Sequence, residues 1–142
     1  MTVEDPFNLS RFVQAQDAAW GDVLHELRQA KKTSHWMWFV FPQLAALGRS
    51  EMAKRYGLSG IDEAGAYVAH PVLGRRLREA CSVLLDVRGD AVEIFGQVDA
   101  MKLRSSLTLF IEAAPGEDTL TQCLQHYFDG MKDIHTLRLL AG

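Results

Sequence analysis

The chain has only two cysteines, Cys81 and Cys123. They are too few for a disulfide framework and lack the spacing of a zinc site, so a reduced, cytoplasmic protein is expected. Neither sign of charge is in large excess: 18 acidic against 15 basic residues give −3. That balance removes the electrostatic footprint of a general nucleic-acid or membrane-surface binder and leaves room for no more than a small basic patch. Long apolar runs are missing as well. The longest nearly uncharged one, residues 36–47, is well short of the ~20 residues a membrane helix needs and is interrupted by Pro42 and Gln43. The first residues, MTVEDPFNLSRF, carry acids where a signal peptide needs basic residues, with no apolar stretch behind them. No repeat, charge block or Gly/Ser/Pro-rich linker divides the chain. The sequence has no G-x-G-x-x-G, Walker loop, G-x-S-x-G or H-E-x-x-H, and it implies no cofactor.

What is present is the material of one globular domain: 142 residues, 48% hydrophobic and 23% charged. From Leu9 to about Lys32, apolar residues recur at steps of three and four, which predicts an amphipathic helix with a break near Asp17 or Gly21. Ser50 and Asp62 read as N-caps of two short helices, stopped by Gly57 and by His70-Pro71. Pro71 fits the first position of a longer helix to about Val87, with Leu73, Leu77, Cys81 and Leu84 on its inner stripe and Gly89 beyond its end. A turn-like helix over residues 91–95 follows, then a helix capped by Asp99 and ended by Pro115-Gly116. Residues 119–128 and a last segment from about Asp133 complete the pattern. Clean period-two alternation is missing throughout. The expected fold is therefore all-α, a single compact multi-helix domain over residues 1–142 with an ordered core from about 5 to 140. The β-favouring run at residues 36–41 leaves room for one short strand.

Two segments could carry chemistry. Residues 34–43, SHWMWFVFPQ, hold two of the three tryptophans between polar ends, His35 and Gln43. They form either a core segment or an aromatic wall on which Trp36 or Trp38 stacks a flat ligand while His35 and Gln43 supply hydrogen bonds. The second segment is residues 99–111. At about 100° per residue, Ala100, Leu103, Leu107, Phe110, Ile111 and Ala114 fill one sector, whereas Met101 and Leu109 fall opposite, among Lys102, Ser105 and Ser106. Apolar residues all round mark a central helix, and its polar side chains then need partners. Lys102, Ser105 and Ser106 share a face and could hold a phosphate or carboxylate, with Arg104 and Thr108 at the edge. Against this, the cations can reach water and the hydroxyls can bond back to carbonyls four residues earlier. Lys102 could equally serve a structural salt bridge with Glu93 or Asp99. The arginines of residues 74–78 read as a solvated helix face. His25, His126 and His135 lack ligand spacing, so no metal site is expected.

The stretches DPFNLSRFVQAQ, KKTSHWMWFVFPQLAALGRSEMAKRYGL, EAGAYVAHPVLGRRL and FGQVDAMKLRSSLTLF together resemble the bacterial family known as domain of unknown function 1810, sometimes labelled calpastatin. The resemblance runs from Asp5 to about Leu140 and implies a small, mostly helical domain, with no activity or catalytic residues to carry over. A looser similarity, of style alone, links the chain to helical N-glycosidases acting on ADP-ribose conjugates and tilts the reading toward nucleotide-like ligands. The leading expectation is one pocket built from both segments. It binds a small anionic, nucleotide-like or ADP-ribose-like ligand through Trp36, Trp38, Gln43, Arg104, Ser105, Ser106 and Thr108, and His35 and Lys102 are the candidate catalytic groups of a hydrolase or N-glycosidase. The alternative is a non-enzymatic protein-interaction module. Membrane and nucleic-acid partners are not expected.

Overall fold

A computed structural model describes residues 4–142, and every described element of regular structure is helical. The helices are α1 (Ser10–Arg28), α2 (Met37–Val40), α3 (Glu51–Tyr56), α4 (Ile61–Ala69), α5 (Leu73–Asp86), α6 (Ala91–Phe95), α7 (Gln97–Ala113), α8 (Asp118–Phe128) and α9 (Ile134–Ala141). A single 3₁₀ turn, Ala45–Leu47, lies between α2 and α3. The nearest thing to a sheet is one isolated bridge, Leu44 to Leu58. No helix among the described residues is long and apolar enough to cross a membrane.

The core grows around α7. Every residue from Ser105 to Ile111 is buried, because α7 packs against α4, α6, α8 and α9 and so has neighbours on all sides. This is the helix whose sequence is apolar all round. Around it, α5 joins α1, α4 and α8 through the stripe of Leu73, Leu77, Cys81 and Leu84, all at most 2% exposed. Each such leucine contributes about 1.5–3 kcal/mol relative to an exposed one. Cys81 and Cys123 are free and buried at the α5–α8 contact. A hydrogen bond with Cys123, together with burial, pushes the Cys81 thiol well above its ordinary range.

Several boundaries differ from the expected ones for local reasons. α1 runs unbroken through Asp17 and Gly21, where no atom crowds the glycine, and Asp5 caps its start by accepting from Leu9 N at 2.7 Å and Ser10 N at 3.0 Å. Ser50 caps α3 as expected, accepting from Ala53 N at 3.0 Å. Asp62 and Asp99 are not caps. Their helices begin earlier, after Gly60 and Gly96, so both carboxylates sit in the first turn, where the helix dipole favours them. Gly96, at φ 81, ends α6 and starts α7 without a loop. The α5 ladder starts at Leu73, two residues after Pro71, and the His70 ring accepts from Val72 N at 3.1 Å and Leu73 N at 3.3 Å.

The run at residues 36–41 is a helical turn and not a strand. No strand among the described residues offers it a ladder. Its last carbonyls are met by side chains instead: Gln16 Nε2 donates to Phe39 O at 2.7 Å, and the buried Tyr67 hydroxyl donates to the same oxygen at 3.3 Å. Upstream, the buried Glu26 carboxylate accepts from Thr33 N at 2.7 Å, Ser34 N at 2.8 Å and Trp36 Nε1 at 3.1 Å. Three donors from four residues of loop fold the segment onto one acid.

Candidate functional site

The polar side chains of α7 divide into two groups. The larger group fastens α9 to α7. Ser105 Oγ donates to Asp133 Oδ2 at 2.9 Å, and Thr108 Oγ1 accepts from Asp133 N at 2.9 Å while donating to Arg104 O at 2.8 Å. Arg104 donates to the carbonyls of Met131 at 2.7 Å and Lys132 at 3.2 Å. Asp133 in turn caps α9 and takes the Thr136 hydroxyl at 2.6 Å. Burial raises the Asp133 pKa, but the donors from Thr136 and Ser105 outweigh it, so the carboxyl lies below its ordinary range. These residues close a helix junction.

The anion-binding trio of Lys102, Ser105 and Ser106 is therefore not assembled. Ser105 is engaged with Asp133, and Ser106 is fully buried with no hydrogen-bond partner among the described residues. Thr108 is also fully buried. Trp36 is 1% exposed, packed edge-on to Phe95 and bonded to Glu26, so no ligand can stack on it. Of the expected set, the structure brings together Trp38, Gln43 and Lys102, with Arg104 and Ser105 contributing to a wall.

Lys102 is the exception on α7. Its Nζ lies 5.6 Å from the centre of the half-buried Trp38 ring, within cation–π range. Its nearest carboxylate oxygen, Asp99 Oδ1, is 3.8 Å away, beyond hydrogen-bonding distance. The other oxygen of Asp99 is taken by Lys32, whose Nζ is 2.8 Å away and which also donates to Ser34 O at 2.6 Å. One carboxylate thus serves two ammonium groups and favours the more deeply buried one. The Lys32 side chain is 7% exposed and that of Lys102 26%.

Lys102 opens onto a groove of about 400 Å³ with apolar walls from Leu47, Val98 and Met101 and polar contributions from Gln43, Asp133 and His135. Gln43 and Lys102 also line an adjoining recess of about 10 Å³, beside Met37, Trp38, Phe41 and Tyr56. The Gln43–Leu47 side is fixed by backbone pairing, Leu58 N to Gln43 O and Ala45 N to Leu58 O, both at 2.9 Å. Gly57 is required there, because a Cβ would collide with Ala45. His35 is exposed, with its ring centre 6.4 Å from that of Trp38, and lines neither cavity.

Sequence reasoning missed His135 and Lys32, and with Lys32 the sharing of Asp99. His135 falls two residues past a cap, Asp133, whose partner Ser105 is 28 residues away, so only tertiary structure places it. Asp99 three residues before Lys102 was a readable signal, although as an ion pair and not as a shared carboxylate. Arg76 and Arg78 are paired with Asp17 at 2.7 Å and Glu117 at 3.2 Å. Among the described residues, no group of three or more His, Cys, Asp or Glu side chains could hold a metal.

Comparison with curated proteins finds no match. Among solved structures, the chain is similar to the conserved hypothetical protein Rv1873 from Mycobacterium tuberculosis, with 47% identity, a TM-score of 0.94, and coverage of 97% of this chain and 99% of that one. The family model described as "Protein of unknown function (DUF1810)" matches residues 6–140, and the chain belongs to that family.

Proposed function

We propose that the protein binds a small anionic ligand with a flat or apolar portion, of the nucleotide or sugar-phosphate kind, in the groove between the 43–47 segment and the first turns of α7. The observation that carries this reading is the incomplete pairing of Lys102. A quarter-exposed ammonium with no hydrogen-bonded acid, at the head of an apolar groove, has donors to spare for an anion. Leu47, Val98 and Met101 offer the surface for the uncharged part. The support is for binding. His35 lies outside the groove lining, so catalysis forms no part of this reading. Two free, buried thiols are in keeping with a reducing, cytoplasmic setting.

The test is a thermal-shift screen of AMP, ADP-ribose and sugar phosphates. A ligand at 100 times its Kd raises stability by about 2.7 kcal/mol, and Lys102→Met should abolish that response without lowering the melting temperature of the free protein.

A second reading, a protein-interaction module, draws on a different observation: Val98 and Met101 are each 67% exposed. Under it, Met101→Glu removes partner binding while Lys102→Met has little effect.

A further inference from the structure

Lys32 is buried more deeply than any other ion-paired lysine in the molecule, and its partner is the carboxylate that would otherwise neutralise the groove cation. Its position is fixed from three sides. Its backbone N–H donates to Ile94 O at 2.8 Å, its ammonium donates to Ser34 O at 2.6 Å, and it stands 5.0 Å from the centre of the Trp36 ring. Trp36 and Ser34 are in turn fixed by Glu26. Asp99 meets this array through Oδ2 at 2.8 Å and presents Oδ1 to Lys102 at 3.8 Å. Asp99 and Lys102 are one turn apart on α7, a spacing at which such pairs ordinarily come into contact. Here the acid is committed to Lys32 and the contact is not completed.

We infer that Lys32 is a positioning residue for the anion site: by holding the Asp99 carboxylate away from Lys102, it leaves the Lys102 ammonium free to take an external anion. This deepens the reading of Lys102 as the anion-binding group and rests on it. Lys32, Asp99 and Lys102 together carry +1, and the burial of Lys32 directs that charge to Lys102. Chemically, the site suits a compact oxyanion such as a phosphate group. A single ammonium offers it two or three donors, and the half-exposed Trp38 ring limits the water that competes for them.

The experiment is a double-mutant cycle on Lys32→Gln and Asp99→Asn, read in two ways. One readout is the affinity for inorganic phosphate. The other is the rate at which Lys102 is acylated by an N-hydroxysuccinimide ester, followed by peptide mass spectrometry, which needs no ligand. Asp99→Asn should strengthen phosphate binding about fivefold and speed acylation of Lys102. Lys32→Gln frees Asp99 to close on Lys102, so both quantities should fall about fivefold. In the double variant the effect of Lys32→Gln should vanish, because its intermediary is gone.

Structural damage would weaken binding in both single variants, and unrelated Coulombic effects would simply add. Either pattern overturns the inference, as does a Lys102 acylation rate that neither variant changes. Should the acylation pattern appear without phosphate binding in the wild type, Lys32 does position Asp99 but the anion-site reading fails. Should Lys32→Gln not fold, Lys32→Arg, which keeps the charge, together with Asp99→Asn decides the matter. Arginine must then hold Lys102 reactivity near the wild-type rate while asparagine raises it, and equal rates in the two contradict the inference.

Discussion

Glu26 and Lys102 are two charges placed against the same stretch of chain, residues 33–38, and they are treated in opposite ways. Glu26 accepts three hydrogen bonds within 3.1 Å, all on Oε1. Lys102 has a ring at 5.6 Å and a carboxylate oxygen at 3.8 Å that belongs first to another lysine. A saturated buried charge is a structural fastener. An undersaturated one at the head of a groove is where a ligand adds something the protein lacks. The same contrast runs along α7, where Arg104, Ser105 and Thr108 are engaged in holding α9 and Lys102 is not.

The largest expected effect lies on the saturated side. Burial raises the Glu26 pKa, but hydrogen bonds from Ser34, Thr33 and Trp36 outweigh it and hold the carboxyl at about 2, below its ordinary 4.5. A depressed folded-state value means that the stabilisation is present in full above pH 4.5 and is lost as pH falls toward 2. That shift corresponds to about 3 kcal/mol. Glu26→Gln should therefore lower stability by ~3 kcal/mol at pH 7 and flatten the acid limb of a stability–pH profile measured by urea unfolding. An unchanged acid limb would remove Glu26 from this role.

A smaller loss is expected where α9 is fastened. Asp133→Ala removes an N-cap together with the acceptor for Ser105 and Thr136 and should cost about 1–2 kcal/mol. Hydrogen exchange should show faster opening of residues 134–141 while α5 keeps its protection. Uniform loss of protection across both helices would make α9 part of the main cooperative unit instead.

Removing the hydroxyl of Ser106, which is buried without a partner among the described residues, should leave stability unchanged or raise it by up to ~1 kcal/mol. A clear destabilisation of Ser106→Ala would reveal a bond for that hydroxyl. At the undersaturated end, Lys102→Met should shift stability by no more than ~0.5 kcal/mol. A loss of several kcal/mol would place Lys102 with Glu26 among the fasteners.

Much of the fold is written in local signals. The Leu73–Leu77–Cys81–Leu84 stripe, the Ser50 cap and the all-round apolar character of α7 each need a few consecutive residues and no more. The errors arise where a distant group overrides a local one. Gln16 and Tyr67, 23 and 28 residues from Phe39, meet the carbonyl of a β-favouring run that forms a helical turn. The candidate site divides along the same line. That Trp38, Gln43 and Lys102 come together could be read from the aromatic density and polar ends of residues 34–43 and from a lysine on a helix with apolar residues all round. The engagement of Ser105 and Thr108 could not, since their partner Asp133 comes from a separate helix junction 28 and 25 residues further on.

The most direct test of the contrast is to follow the lysine side-chain ammonium signals by NMR while inorganic phosphate is added. The account predicts that the Lys102 signal moves saturably, while those of the exposed Lys31 and Lys54 move only with ionic strength. A Lys102 signal that tracks these exposed lysines throughout the titration, in a protein that remains folded, would contradict it.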